Sequence, residues 1–525
     1  MAGKGLALIS ALYRTSIRDW TRVPWGMIRP LLSSRPRRWL LAATADLVLM
    51  IVAASLSGTA VPSQTGPSLK TVSLTSGATA GRYIYSPSAL PATGSPSATA
   101  DRDNTFSFAT GVSSDRRYLI DQHGKPYLLV GDAPQAMIGD LSLGQANSYF
   151  ADRQAHAINA VWINLLCDKY TSCSSDGQTY NGIPPFTRAG DISTPNPTYF
   201  RKVDAVLRLA AKHGITVFLD PAETGGWLKF LESNGVRKDA GYGEYLAYRY
   251  KAYQNIVWLL GNDFQSWSDT GADAVVTAMA DGLRAGGDHH VMSIELDYNQ
   301  SLSTDDPNWG KRVNISAGYS YYPTYDEVLK GYDDRPVLPV FFVEGHYDAE
   351  CVGPGGCGTP IVLRRQEYWT MTSGATGQLY GSQYWGFKQG WQNGIDSVGA
   401  SQLAIMAKFF KSLPWYNLAP SQDHSLVTSG YGSYSTSGST LENDYVTAAE
   451  TDNGMTAVIY LPTAHTIAVN LTKLSGRVTA RWFDPTTGSY TKLGSFRNVG
   501  SRQFKSPPPH GDGADDWVLL LQGHR

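Results

Sequence analysis

Charge is scarce in this sequence. Asp, Glu, Lys and Arg make up 17% of 525 residues, and 44 basic against 45 acidic side chains leave a formal net charge of −1. That excludes a protein that binds nucleic acid by neutralising phosphates with a basic surplus. There are only 10 histidines, and no pair of them has helical metal spacing. His289-His290 precedes an apolar run and reads as a solvated pair. No Ser-His-Asp order or nucleophile elbow occurs, no Gly-rich phosphate loop follows the first apolar run, and no repeat of 20–50 residues recurs. Cysteine is limited to Cys167, Cys173, Cys351 and Cys357, two local pairs with five residues inside each. Of the three connectivities, local pairing needs the least rearrangement of the chain. Zinc ligation competes, but the spacing is not that of a knuckle and no histidine accompanies either pair. Two small loop-stapling disulfides fit an oxidising compartment.

What the sequence does have is tyrosine, 30 against 16 phenylalanines, with 14 tryptophans. Rings with a polar tip suit clefts that bind sugars. Residues 1–60 carry eight Lys/Arg against two Asp/Glu. Arg35, Arg37 and Arg38 lead into an apolar stretch from Trp39 to about Leu56, and Gly58-Thr59-Ala60 offers small residues for a peptidase. Asp46 lies inside that stretch, where a carboxylate disfavours a membrane span by about 2.5–3.5 kcal/mol. The segment is expected to be a signal peptide or an N-terminal membrane anchor, with the rest of the chain extracellular or at the cell surface. Residues 61–105, rich in Ser, Thr, Pro, Ala and Gly, read as a disordered linker.

From residue 106 to 420 short apolar runs alternate with amphipathic segments. The runs are Tyr127–Val130, Ala160–Leu166, Ile215–Leu219, Ile256–Leu260, Val291–Leu296, Val313–Ala317, Val337–Val343 and Gln378–Trp385. Helices are expected over Tyr199–His213, Gly243–Gln254, Ala272–Ala285 and Leu363–Ser373. Eight β/α units with continuously apolar strands predict an α/β chain folded as a (β/α)8 barrel, an open doubly wound sheet being the alternative. Residues 421–525 hold short strand-like runs broken by Gly, Asn, Pro and Ser, as in a small antiparallel β-sandwich.

A β/α barrel builds its site at the carboxyl ends of its strands. Those ends read Asp132; Asn164 to Asp168; Asp220 with Glu223; Asn262-Asp263; Glu295 or Asp297; Tyr319 to Tyr322; Glu344 with His346; and Trp385. Carboxylates and aromatics dominate, which suits glycoside hydrolysis by a pair of carboxyl groups. The best pair is Asp263 and Glu344, each closing an apolar strand that holds it and can raise its pKa. Taken alone, Asp263 also reads as a helix N-cap, Glu344 as half of an ion pair and Trp385 as a barrel-core residue.

Lys125-Pro-Tyr-Leu-Leu-Val-Gly-Asp132, Ile256-Val-Trp-Leu-Leu-Gly-Asn-Asp263 and Pro339-Val-Phe-Phe-Val-Glu-Gly-His-Tyr347 resemble the apiosidase-like glycoside hydrolases. Residues 421–525 resemble the collagen-binding sandwich that often follows in that family. The resemblance covers roughly 110–520 and implies a retaining glycosidase, with Asp263 as acid/base at the fourth strand and Glu344 as nucleophile at the seventh. It departs at Pro134-Gln135, where the family usually has Thr/Ala-Trp, and in the disulfide loops. The expected substrate is a cell-wall polysaccharide or oligosaccharide, cleaved at a furanose such as apiose or arabinose. No metal, cofactor or nucleic acid is expected, and the chain is expected to be a monomer. Asp132, Asn164, Asn262, Tyr319, Tyr321, His346 and Trp385 are the expected substrate contacts, with Tyr319 or Tyr321 also orienting Glu344. The long loop from Cys167 to Asp191 is expected to wall the cleft through Tyr170 or Tyr180. The alternative function is a carbohydrate- or matrix-binding protein that kept the barrel without its catalysis.

Overall fold

The computed structural model describes residues 106–297, 300–353 and 356–524. The export segment and the linker expected over 1–105 lie outside them.

A hairpin of β1 (Ala109–Val112) and β2 (Leu119–Asp121) precedes the barrel. Eight parallel strands follow: β3 (Leu129–Asp132), β4 (Ala160–Asn164), β5 (Thr216–Asp220), β6 (Ile256–Phe264), β7 (Met292–Leu296), β9 (Ser316–Ser320), β10 (Val340–Glu344) and β11 (Gly377–Tyr380). A short antiparallel strand, β8 (Gln300–Leu302), pairs with β9. Ladders run in the order β7-β6-β5-β4-β3-β11-β10-β9-β8. The remaining seam, between β7 and β9, is bridged by Asn314 N donating to Met292 O (2.8 Å), and by hydroxyls: Ser293 Oγ to Ile315 O (3.0 Å) and Ser303 Oγ to Ile294 O (2.5 Å). The expected eight-strand barrel is therefore the fold. The hairpin plugs its amino-terminal end, with Ala109 and Leu119 packed into the barrel interior.

Helices cover the outside: α1 (Met137–Asp140), α2 (Leu143–Ala155), α3 (Pro197–Lys212), α4 (Thr224–Asn234), α5 (Val236–Tyr250), α6 (Thr270–Ala285), α7 (Pro307–Gly310), α8 (Thr324–Asp333), α9 (Pro360–Thr372) and α10 (Val398–Lys411). Strand parity sorts the side chains. Leu129, Trp162, Phe218, Val257, Leu259, Ala317, Phe341 and Leu379 fill the barrel. Val161, Ile163, Val217, Leu219, Trp258, Leu260, Met292 and Ile294 face the helices. Both faces are buried, which is why the runs read as continuously apolar. The helix expected over Gly243–Gln254 begins earlier, at Val236. The sixth barrel strand begins at Ser316 rather than Val313, because Asn314 and Ile315 serve as the seam.

Beyond α10 come β12 (Leu418–Pro420), β13 (Val427–Ser429), β14 (Thr447–Thr451), β15 (Thr456–Leu461), β16 (Thr466–Asn470), β17 (Arg477–Phe483), β18 (Tyr490–Arg497), β19 (Ser501–Lys505) and β20 (Trp517–His524). They form antiparallel sheets β12-β14-β15-β20-β17-β18 and β13-β16-β19. One face of the larger sheet packs on the smaller; the other, with Val458, Tyr460, Val518 and Leu520, packs on α9 and α10. Arg364 of α9, fully buried, donates to both Asp516 oxygens at 3.0 and 2.8 Å across that joint.

Candidate active site

Two strand bulges make the site. On β10 the ladder to β9 slips between Phe342↔Gly318 and Glu344↔Tyr319. Phe341 and Val343 already point into the barrel, so strict alternation would send Glu344 outward. The bulge turns it in. On β6 the ladder to β7 slips between Leu260↔Ile294 and Phe264↔Leu296, so that Gly261, Asn262 and Asp263 bow out of register. Gly261 (φ 76°) and Asp263 (φ 52°) take the left-handed conformation there. For an aspartate this is uncommon and marks a held position.

Glu344 accepts two phenol hydroxyls: Tyr319 on Oε1 at 3.0 Å and Tyr347 on Oε2 at 2.7 Å. Tyr321 stands 3.3 Å from the Tyr319 hydroxyl. Tyr170 donates to Asp263 Oδ2, and the Asp263 amide donates to Glu295 Oε2 at 3.2 Å. Burial pushes Asp263 above the usual carboxylate range, opposed by the Tyr170 hydrogen bond. Burial, then the charge of Asp263, push Glu344 up, while its two phenols favour the carboxylate. Glu295 is raised by burial, then by Glu344 and Asp263. No cation is among the groups acting on any of the three.

Acceptors without partners line the neighbouring strand ends. Asn164 Oδ1, Asp220 Oδ2, Asn262 Oδ1, Asp263 Oδ1 and Glu295 Oε1 are buried and bond nothing among the described residues. A buried acceptor left open costs free energy unless a ligand supplies donors. Sugar hydroxyls are such donors. Asn262 is fixed from behind, its amide and carbonyl both bonded to the Thr224 hydroxyl at 2.8 Å.

The disulfide loop stands over Asp263. Cys167–Cys173 and Cys351–Cys357 are both formed. Glu223, fully buried, is the loop's anchor: it accepts from Asp168 N (2.6 Å), Asn164 Nδ2 (3.1 Å) and the Thr171 hydroxyl. Burial raises it to about 9, so it holds these donors as a neutral acid at pH 7. Close approach needs glycine: a Cβ on Gly225 would sit 2.3 Å from the Tyr170 ring, and one on Gly226 2.0 Å from Asp168. Tyr170 is thereby aimed at the acid, whereas Tyr180 lies away from it, under Lys202.

Two other expected contacts, Asp132 and His346, fall elsewhere. Asp132 lies three residues after Leu129 and one after Gly131, the inward positions of β3, and so faces α2, where it bonds Arg153 (3.0 Å) and Tyr149 in a buried ion pair. Strand alternation, not chemistry, removes it from the cleft. His346 is buried behind the strand ends, Nε2 2.9 Å from Tyr321 O and its amide bonded to Gln366. Trp385 lies five residues beyond β11, packs on the barrel-interior cluster and donates to Glu350 at 3.1 Å. Two residues with direct contacts were not among the expected catalytic and binding residues. Tyr347 stood in plain view three residues past Glu344; Glu295 was one of two candidates at its strand end.

Residues 113–417 match the family described as "Apiosidase-like, catalytic domain", and 434–522 match "Putative collagen-binding domain of a collagenase". Among solved structures, the fold is similar to a protein described as a glycoside hydrolase (20% identity, TM-score 0.68, covering 79% of this chain and 97% of that one). It is also similar to a glycoside hydrolase family 5 protein from Bacteroides vulgatus (19% identity, TM-score 0.68, 79% and 93% covered). No curated protein matches the chain. With the family's catalytic domain matched over more than half its length, on a glycoside hydrolase barrel that carries two inward carboxyl groups at the fourth and seventh strands, the chain belongs to the apiosidase-like family.

Proposed function

We propose that the protein is a secreted retaining glycosidase that cleaves O-glycosidic bonds of a cell-wall polysaccharide, at a furanose such as apiose or arabinose. A Glu344 oxygen attacks the anomeric carbon while Asp263 gives its proton to the departing glycosidic oxygen. Asp263, now a carboxylate, takes a proton from the water that attacks the glycosyl–Glu344 ester, and Glu344 leaves as the carboxylate it was.

The observation that carries the reading is a pair of buried carboxyl groups closing β6 and β10, near enough that the charge of Asp263 acts on Glu344, with Tyr319 and Tyr347 donating to Glu344 and Tyr170 to Asp263. Retention uses carboxyl groups about 5–5.5 Å apart, and inversion about 6.5–9.5 Å to seat a water. Burial raises both acids, so the pair shares one proton; the reacting form has it on Asp263, and the two phenols on Glu344 favour that form. Export is supported by the two formed disulfides.

Purified protein is to be incubated with pectic, arabinan and arabinogalactan polysaccharides and the released sugars identified, with Glu344→Gln alongside. Release by the wild type and its loss by orders of magnitude in the variant are expected. Equal release from both would overturn the assignment of Glu344.

A further inference from the structure

Glu295 takes part in no step above, yet it is 1% exposed and lies opposite the bulge that presents Asp263. Between the two ladder positions Leu260↔Ile294 and Phe264↔Leu296, β6 spends three residues where β7 spends one, and that one is Glu295. Two surplus residues must be folded away. Gly261 does part of this pressed against Glu295 itself, since a Cβ there would meet the Glu295 carbonyl oxygen at 2.6 Å. Asp263 does the rest by adopting φ 52°. A non-glycine residue held there is strained, so something must hold it. The contact that does so is Asp263 N to Glu295 Oε2, 3.2 Å. The other oxygen, Oε1, is buried and unpartnered.

We propose that Glu295 is the positioning residue of the acid/base: it accepts the Asp263 amide at the crest of the bulge and fixes the left-handed turn that aims the Asp263 carboxyl at the leaving group. The inference rests on the reading of Asp263 as acid/base. Burial and the two neighbouring carboxyl groups push Glu295 well above the usual carboxylate range, which favours the neutral acid and so support of the turn without a third negative charge. Glutamine reproduces that neutral state and keeps a carbonyl acceptor for the amide; leucine fills the space and offers no acceptor.

The test uses the full chain and two aryl glycosides of the sugar released in the screen, one with a 2,4-dinitrophenyl leaving group, which departs unassisted, and one with phenol, which needs a proton. For Glu295→Leu, kcat/KM on the phenyl glycoside is expected to fall by about a hundredfold and on the dinitrophenyl glycoside by less than about threefold. Glu295→Gln is expected to stay within about threefold on both. Hydrogen exchange at the amides of 261–264 should accelerate in Glu295→Leu and not in Glu295→Gln. If the leucine variant does not fold, Glu295→Asp, which withdraws the acceptor by one methylene, is expected to give the same leaving-group split. An equal fall on both glycosides, or no fall, overturns the positioning role. Asp263→Ala is the benchmark: if it lacks the split, the catalytic reading of Asp263 fails; if it has the split and the Glu295 variants lack it, only this inference fails.

Discussion

Tyr347→Phe perturbs one partner of the proposed nucleophile and leaves the proposed acid alone. The hydroxyl donates to Glu344 Oε2 at 2.7 Å and accepts from Gln135 Nε2 at 3.2 Å. A hydrogen bond to a charged group contributes about 1.5–3 kcal/mol. Glu344 keeps an edge open to the cleft, so the lower figure applies, and at about 1.4 kcal/mol per unit that is a shift of about one pKa unit. The sign follows from which form is bonded. The phenol favours the carboxylate and so lowers the Glu344 pKa; its removal raises it further. A nucleophile must be ionised. Burial leaves Glu344 at about 8 and Asp263 at about 6, so the active form, with the proton on Asp263, is one state of a singly protonated pair. Raising Glu344 by about one unit should lower kcat/KM across the plateau by about tenfold and move the alkaline limb up by about one unit. Thermal stability should fall by about 1 kcal/mol, because Gln135 loses an acceptor. An unchanged plateau with both limbs in place would refute the assignment of roles.

Three further outcomes follow from other contacts. Breaking the Cys167–Cys173 staple with Cys167→Ser/Cys173→Ser should lower kcat/KM through loss of the Tyr170 contact to Asp263, while Tyr170→Phe reproduces that loss with an unchanged melting temperature by calorimetry. Trp267, 54% exposed in the loop after β6, should matter for binding and not for folding. Trp267→Ala is expected to raise KM severalfold on a polysaccharide, leaving aryl glycosides and the melting temperature unaffected. Arg364→Ala strands the Asp516 carboxylate in the joint between barrel and sandwich, at a cost of about 3–5 kcal/mol in a denaturant titration.

The barrel was legible because parallel strands buried on both faces must be apolar throughout, and the runs from Ala160 and Ile256 show it. The pair Asp263 and Glu344 was legible as acids closing such runs. What could not be read is direction. Alternation alone sends Asp132 outward to Arg153 and would have sent Glu344 outward too; only the slipped ladder at Phe342 reverses it. A one-residue slip is a property of pairing between β9 and β10, and no local pattern encodes it. Glu295 was obscured for the same reason, since its importance comes from facing a bulge on another strand. The reach of Tyr170 depends on Glu223 and on glycines 225 and 226, some fifty residues away in the chain, whereas Tyr319 bonding Glu344 was expected from its strand end.

The most direct test of the account is the anomeric configuration of the first-formed sugar, followed by proton NMR as a glycoside of defined configuration is hydrolysed and before mutarotation equilibrates it. Attack by Glu344 and then by water on the same centre predicts release with the substrate's own configuration. Release of the opposite anomer would contradict a covalent intermediate on Glu344.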